Sequence, residues 1–392
     1  MRKAVRSEAK AEGRYFVPKI SSKSFRMAEK NQDIQVLRGV AIVLTMMQHW
    51  RNRLPTPESY SNLFSHVAFW AGVDIFFAIS GFLIFRSLSH ELERAASTRA
   101  AIKAFWSRRV GRLFPAVLFW SLTSIAVAGV TTSVWGTSIR GVSISAVMGL
   151  LGLSNLYLAH CIPEHLATCG NPDYNGVTWS LSLEWQLYAA TTLAVCLAGR
   201  RQAVLLMLTV ALVLSFFTPA DLPYLFYIRP QAYALGALIA LLMDSKPRHQ
   251  NFQLNRAGSI ACLIVGIALT VAAPVHLSGR FLFPVIGMAG ALCLLSALRG
   301  TSYSGLLITR PFEWIGERSY SIYLCHLPIF LLTHEWLTRN GSMSPSPKNV
   351  MLALVMAGSM ICISGHLSYR LIEQPFQKMT RRWARRTDQA IA

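Results

Sequence analysis

Ten apolar stretches dominate the chain, each close to the roughly 20 residues a helix needs to cross the hydrocarbon core of a bilayer. They lie at about 35–54, 66–86, 113–132, 178–198, 201–218, 230–243, 257–274, 281–298, 319–337 and 349–370. Their patterning is helical, without the strict alternation of a half-buried strand. Only 14% of the residues are Asp, Glu, Lys or Arg, against roughly 25% in a soluble domain. The expected fold is therefore an all-α polytopic membrane protein of about ten transmembrane helices. Another apolar stretch, near 141–158, would make the count odd and put the two ends on opposite sides. It reads as one re-entrant or interfacial helix leading into a loop at 159–176.

The same chain carries a formal charge of +20, which in a soluble protein would point to nucleic acid. Here the positions of the cations decide. With both termini in the cytoplasm, the basic residues fall in the tails and cytoplasmic loops, except for Arg51, Arg53, Arg140, Arg229, Arg280, Arg339 and Lys348. That asymmetry is the positive-inside signal of a multi-pass protein in the inner (plasma) membrane. The expected partner is thus the lipid bilayer, and no nucleic acid is called for.

Three regions are expected: a basic cytoplasmic tail over 1–33, a membrane-embedded domain over 34–376 and a second basic tail over 377–392. The apolar run after the first tail is long and lacks a small-residue cleavage site, so it reads as an uncleaved anchor. Cys196, Cys262, Cys293, Cys325 and Cys362 fall in spans and read as packing residues. Cys161 and Cys169 share the outer loop, where either a short disulfide or two thiols fits. No metal-binding spacing is present, since neither His90-Glu91 nor His334-Glu335 is followed by the second His of H-E-x-x-H. Neither a glycine-rich nucleotide loop nor a G-x-S-x-G elbow occurs.

Ionisable groups within the apolar stretches are the natural functional candidates, because charge inside a bilayer is costly. Arg38 and His49 share the first span. Eleven residues separate them, so they project from one helix face, about 16 Å apart along the axis. Snorkelling of Arg38 to the headgroups and a merely satisfied His49 are the structural alternatives. Asp74, entering from the outer side in the second span, reaches a similar depth to His49 and is expected to orient its imidazole; a packing partner elsewhere is the other reading. Arg109 and Arg112 are one turn apart before Pro115, a guanidinium pair suited to phosphate. Glu184 sits in Thr178-Trp-Ser-Leu-Ser-Leu-Glu-Trp-Gln-Leu-Tyr188 with no neighbouring charge in sequence. Tyr323 and His326 add polar groups to the ninth span, and His366, Tyr369, Arg370 and Glu373 close the tenth.

Six of these segments together resemble the membrane-bound acyltransferase family 3, bacterial O-acyltransferases of cell-surface polysaccharides and related acceptors. The segments are Leu37-Arg-Gly-Val-Ala with His49, Gly72-Val-Asp-Ile-Phe-Phe-Ala-Ile-Ser-Gly-Phe-Leu, Arg108-Arg-Val-Gly-Arg-Leu-Phe-Pro, Trp179-Ser-Leu-Ser-Leu-Glu-Trp-Gln-Leu-Tyr, Ser319-Tyr-Ser-Ile-Tyr-Leu-Cys-His and Tyr369-Arg-Leu-Ile-Glu-Gln-Pro-Phe. They occur in the family's order. Trp185 and Leu187 depart from the commoner residues of the fourth segment, a difference that touches packing and acceptor fit. Some members carry a C-terminal esterase-like domain, which this chain, ending at Ala392, is expected to lack.

The resemblance implies an acetyl-CoA-dependent O-acetyltransferase with no tightly bound cofactor. Acyl-CoA would be the donor, and a glycan or lipid-linked oligosaccharide at the outer face the acceptor. Arg38, Arg109 and Arg112 would bind the CoA phosphates. His49 would act as general base with Asp74 as its orienter. Glu184 would complete the catalytic set from the acceptor side, and Trp179, Ser180, Tyr188, Tyr323 and His326 would contact substrate. Direct transfer and an acyl-enzyme intermediate are both consistent with these residues. A transporter or flippase of a lipid-linked sugar would also carry midplane charges, although no internal repeat supports that class.

Overall fold

The computed structural model of the chain describes residues 31–134, 138–164, 169, 173–218, 223–244, 254–380 and 382. Most of the two expected basic tails, 1–30 and 383–392, lies outside this set. Every regular element among the described residues is helical. In chain order they are α1 (Gln32–Trp50), α2 (Glu58–Leu63), α3 (Gly72–Arg94), α4 (Thr98–Val130), α5 (Ile139–Leu150), α6 (Ser154–Glu164) and α7 (Thr178–Ala198). Then follow α8 (Arg200–Leu214), α9 (Gln231–Asp244), α10 (Arg256–His276), α11 (Leu282–Ala297), α12 (Arg310–Glu317), α13 (Ser319–Arg339) and α14 (Pro347–Ser368), which continues through a π turn at Tyr369–Glu373.

Six of the helical segments are both long and apolar enough to cross a membrane: Gly72–Arg94, Thr98–Val130, Tyr224–Asp244, Arg256–His276, Gly279–Ala297 and Pro347–Thr380. The chain is thus a multi-pass membrane protein. α1, α7 and α13, which carry Arg38, His49, Glu184 and His326, are not among the six. The apolar stretch near 141–158 differs from the single helix expected there. It forms two short helices, α5 and α6, because Gly152 turns the chain with φ +71°, a conformation open mainly to glycine.

α3 is the hub, packed against α1, α4, α7, α9 and α11, with 78% of its apolar window buried; α10, at the rim, has 22% of its own buried. Glycines set the two tightest crossings. A Cβ at Gly81 would run into the Tyr233 carbonyl of α9, and one at Gly236 into the Ala78 carbonyl of α3. Likewise α1 and α12 meet where Gly39 lies on the Phe312 backbone and Gly316 on that of Gln35. Small residues let helix backbones approach in this way. At its Arg94 end α3 is tied down by ion pairs: Arg86 to Asp244 of α9 (3.4 Å), Glu91 to Arg108 of α4 (2.6 Å) and Glu93 to Arg200 of α8 (2.5 Å).

The start of α1 is fixed from both sides. The Asn31 side chain caps the helix by accepting from the Ile34 amide, and buried Asp33 accepts the amides of Ser302, Tyr303 and Ser304. Around the outside, Leu197, Leu205, Leu212, Ile264, Leu354 and Ile363 are exposed. An apolar patch of this extent belongs against lipid.

Candidate active site

Helical register brings distant segments to one cavity. Arg38 comes from α1, Ser80 from α3, and Arg109 and Arg112 from successive turns of α4. Ser180, Glu184 and Tyr188 recur every four residues on one face of α7, and Tyr320 and Tyr323 come from α13. The cavity holds about 800 Å³, counting the space open at its mouth. Seven residues singled out in the sequence, Arg38, Arg109, Arg112, Ser180, Glu184, Tyr188 and Tyr323, thus line the same space.

The arginines reach it because α4 runs as one 33-residue helix from Thr98, with Pro115 inside it, where the sequence suggested a span opening at the proline. Of the three arginines there, Arg108 is engaged by Glu91, while the guanidinium of Arg109 lies 5.5 Å from the Phe105 ring centre. Arg112 keeps a buried Nε without a hydrogen-bond partner. A buried donor left in this state is costly, and an anionic ligand would satisfy it. Arg38 faces Arg112, Glu184, Tyr188 and the buried Glu373. Glu373 ends the π turn of Tyr369–Glu373 and accepts a 2.5 Å bond from Ser321 Oγ.

Glu184, expected on the acceptor side, lines the same cavity as the three arginines. Its Oε1 accepts hydrogen bonds from Tyr188 Oη (2.5 Å) and from Ser80 Oγ, and this carboxylate partly offsets the three cations. Tyr323 and Ser180 share a 2.6 Å bond between hydroxyls, with Ser180 donating to the Val177 carbonyl.

His49 lies further along α1, and its partner is His326. His49 Nδ1 is 2.8 Å from His326 Nε2, and the rings lie 16° from parallel. The other nitrogen of His326, Nδ1, is 3.3 Å from the Ile322 carbonyl, which can only accept. In the neutral pair this assigns the proton on His326 to Nδ1 and leaves Nε2 as an acceptor. His49 then donates through Nδ1–H, and its own Nε2 holds the free lone pair.

Tyr323, whose ring centre is 5.8 Å from that of His326, joins this pair to the cavity. Along α13, Tyr320, Tyr323, His326 and Phe330 follow one another as a ladder, rising about 9 Å from Tyr320 to His326. His49 and His326 do not line the cavity themselves; they stand just beyond Tyr323, which does.

Asp74, expected beside His49, is paired with Arg229 instead. Arg229 Nε lies 3.1 and 3.2 Å from its two oxygens, and the arginine's terminal nitrogen is 3.1 Å away. Arg229 is 1% exposed, with Trp70, Trp179 and Phe226 ring centres 4.7–4.8 Å from its guanidinium. A buried arginine needs a carboxylate beside it, and Asp74 fills that need. Trp179, expected to contact substrate, forms one wall of this aromatic cage. In the sequence Arg229 is one of a few basic residues outside the tails and cytoplasmic loops, and nothing local there points to this pairing.

The far side of His49 is organised by Arg53. It donates to the His49 carbonyl (3.0 Å) and grips Asp173 through Nε (2.8 Å) and a terminal nitrogen (2.5 Å). His334 Nδ1 donates to the Arg53 carbonyl (2.6 Å). Cys161 and Cys169 are joined in a disulfide nearby in sequence, closing the segment that precedes Asp173. His366 is apart from all this, accepting a 3.0 Å bond from Arg318.

A family model described as an acyltransferase domain, acyltransferase 3, matches residues 31–369. The Listeria monocytogenes protein named "Peptidoglycan O-acetyltransferase OatA" is 28% identical over 331 residues, covering 78% of this chain and 51% of its own length. The Bacillus subtilis protein named "Putative peptidoglycan O-acetyltransferase YrhL" is 26% identical, covering 78% of this chain and 50% of its own. The chain therefore spans about half the length of the curated relatives it matches. No solved structure matches it. With a family model running through α1 to the end of α14, and with the motif residues gathered at one cavity, the chain belongs to the acyltransferase 3 family of membrane acyltransferases.

Proposed function

We propose that the protein is a membrane O-acetyltransferase that moves an acetyl group from acetyl-CoA to a sugar hydroxyl of the cell envelope. The observation that carries this reading is the ladder from the arginine-lined cavity to the His49–His326 pair. CoA phosphates bind at Arg38, Arg109 and Arg112, where charge-assisted bonds to guanidinium are strong, and the thioester arm extends past Tyr323 towards His49. The acceptor arrives from the opposite side. His49 Nε2 takes the hydroxyl proton as the oxygen attacks the thioester carbonyl. The carbon–sulfur bond then breaks, the ester forms, and the CoA thiolate recovers the proton from the imidazolium. His326 holds the tautomer that makes Nε2 basic.

The relatives' names support peptidoglycan, or a precursor of it, as the acceptor. The asymmetry of basic residues supports cytoplasmic termini in a plasma membrane, with acetyl-CoA reaching the cavity from the cytoplasm. The test is transfer of radiolabelled acetyl from acetyl-CoA to muropeptides by the purified chain in nanodiscs. His49→Ala should lower turnover by roughly a hundredfold or more, the share general-base catalysis supplies, with acetyl-CoA binding retained. Turnover at the unmodified rate would remove His49 from the chemistry.

A further inference from the structure

Alongside the histidine pair, lined on α1 by Val43, Met46, Met47 and Trp50 and on α13 by Phe330, lies a second concavity. Trp50 follows His49 and Phe330 follows His326; the Phe330 ring centre is 5.8 Å from that of His326 and 5.9 Å from that of Trp50. These two rings are the wall shared between the reaction centre and a groove of about 870 Å³, counting its open side, which also touches Met46, Met47, Leu354 and Gly358. Along α14 the groove follows residues 350 to 361, roughly 16 Å at the rise of a helix. That is the length of a hydrocarbon chain rather than of an acetyl group.

Its polar side-chain groups are already used. Tyr60 Oη donates to the Met47 carbonyl (2.7 Å) and Trp50 Nε1 to that of Pro55 (3.2 Å). Beyond the Tyr60 end, on the far side of Phe64, stands Arg51. The Tyr60 and Phe64 ring centres are 5.4 Å apart, and the Arg51 guanidinium lies 4.5 Å from the Phe64 ring centre. Unlike Arg53, which is committed to Asp173, Arg51 has an Nε without a hydrogen-bond partner. An apolar channel beside the reacting histidine, with an arginine beyond its Tyr60 end whose buried Nε has no hydrogen-bond partner, matches an amphiphile with one long chain and a phosphate.

We infer that this groove holds the hydrocarbon chain of a lipid-linked acceptor, entering sideways from the bilayer between α1 and α14, with the linking phosphate at Arg51 and the sugar hydroxyl at His49. The inference rests on the reading of His49 as the reaction centre. It adds that the acceptor is delivered on a prenyl or similar lipid phosphate, not free in water.

Gly358 allows a direct test. A Cβ there would meet nothing within 4 Å, and leucine is the better helix former, so Gly358→Leu fills the groove without disturbing its walls. The full chain in nanodiscs is given acetyl-CoA and either a muropeptide on decaprenyl diphosphate or the same muropeptide free in solution. Gly358→Leu should raise KM for the prenyl-linked acceptor roughly tenfold or more, the factor expected when part of a chain loses its site, and leave kcat and the free muropeptide's KM unchanged. Arg51→Gln should also raise KM for the prenyl-linked acceptor alone. Equal shifts for both acceptors, or none, overturn the inference.

Photolabelling with a diazirine-bearing decaprenyl phosphate reads occupancy without turnover. Label on the Met46–Met47 segment that Gly358→Leu abolishes supports it. Label spread over α8 and α10 and unchanged by the variant overturns it, as does protection by long-chain acyl-CoA, which would assign the groove to the donor. Failure of the His49 reading looks different: His49→Ala would then acetylate both acceptors normally, whatever the labelling shows.

Discussion

At the scale of single residues, what sets His49 apart is the chain of hydrogen bonds behind it. A backbone carbonyl cannot donate, so Ile322 fixes the proton of His326 on Nδ1, and His326 in turn fixes that of His49. In the proposed mechanism this does the work of an orienting carboxylate without burying a charge, which in an apolar surrounding would be costly. Replacing His326 by Ala frees the His49 ring to rotate and to change tautomer. The expected result is a fall in kcat of about a hundredfold with KM for acetyl-CoA unchanged, because the arginines are untouched. Gln at the same position can still accept from His49 Nδ1–H and should recover part of kcat. A merely structural role for His326 predicts instead that Ala and Gln lower protein yield together and that the surviving protein turns over normally.

At the scale of helices, the Asp74–Arg229 pair joins the start of α3 to the entry of α9, and its energetics are those of a buried ion pair. Removing one partner strands the other's charge at a cost of about 3–5 kcal/mol, whereas replacing both with apolar residues is often nearly neutral. Asp74→Leu and Arg229→Met should each lower the unfolding temperature in detergent sharply, and the double variant should regain most of it together with acetyl transfer. A double variant that is stable but inactive would return Asp74 to the chemistry.

The same pair shows where sequence reasoning stopped. Ser180, Glu184 and Tyr188, like Arg109 and Arg112, are legible because their spacing alone puts them on one helix face. Their meeting with Arg38 follows once the helices pack. The partner of a buried carboxylate is set by tertiary packing: His49 and Arg229 were both available to Asp74 by sequence, and the depth of the aromatic cage around Arg229 decides between them. The second histidine was visible as an intramembrane polar residue, but its bond to His49 spans 277 positions and no local pattern encodes it. Gly152, which splits the stretch near 141–158 into two helices, shows the converse case, where one backbone conformation overrides an unbroken apolar run.

At the scale of the molecule, the proposed mechanism and the distribution of charge call for one orientation. The ion pairs at the Arg94 end of α3 and the arginine-lined cavity lie on the side where the basic residues concentrate. The disulfide-closed segment and the Arg53–Asp173 pair lie towards the His49 end. In the proposed mechanism a donor made in the cytoplasm and an acceptor outside can meet at His49 only if the Arg94 end faces inward, so that proposal and the positive-inside rule call for the same topology. Single cysteines test it in a chain whose five free cysteines, Cys196, Cys262, Cys293, Cys325 and Cys362, are replaced by alanine. Ala96, exposed in the turn between α3 and α4, and Ser344, exposed between α13 and α14, sit at opposite ends of the helices. In intact cells a membrane-impermeant maleimide should label Ser344→Cys and reach Ala96→Cys only after lysis. The reverse pattern would put the arginines outside, where no acetyl-CoA reaches them, and would sink the proposed direction of transfer even if both variants remain active in detergent.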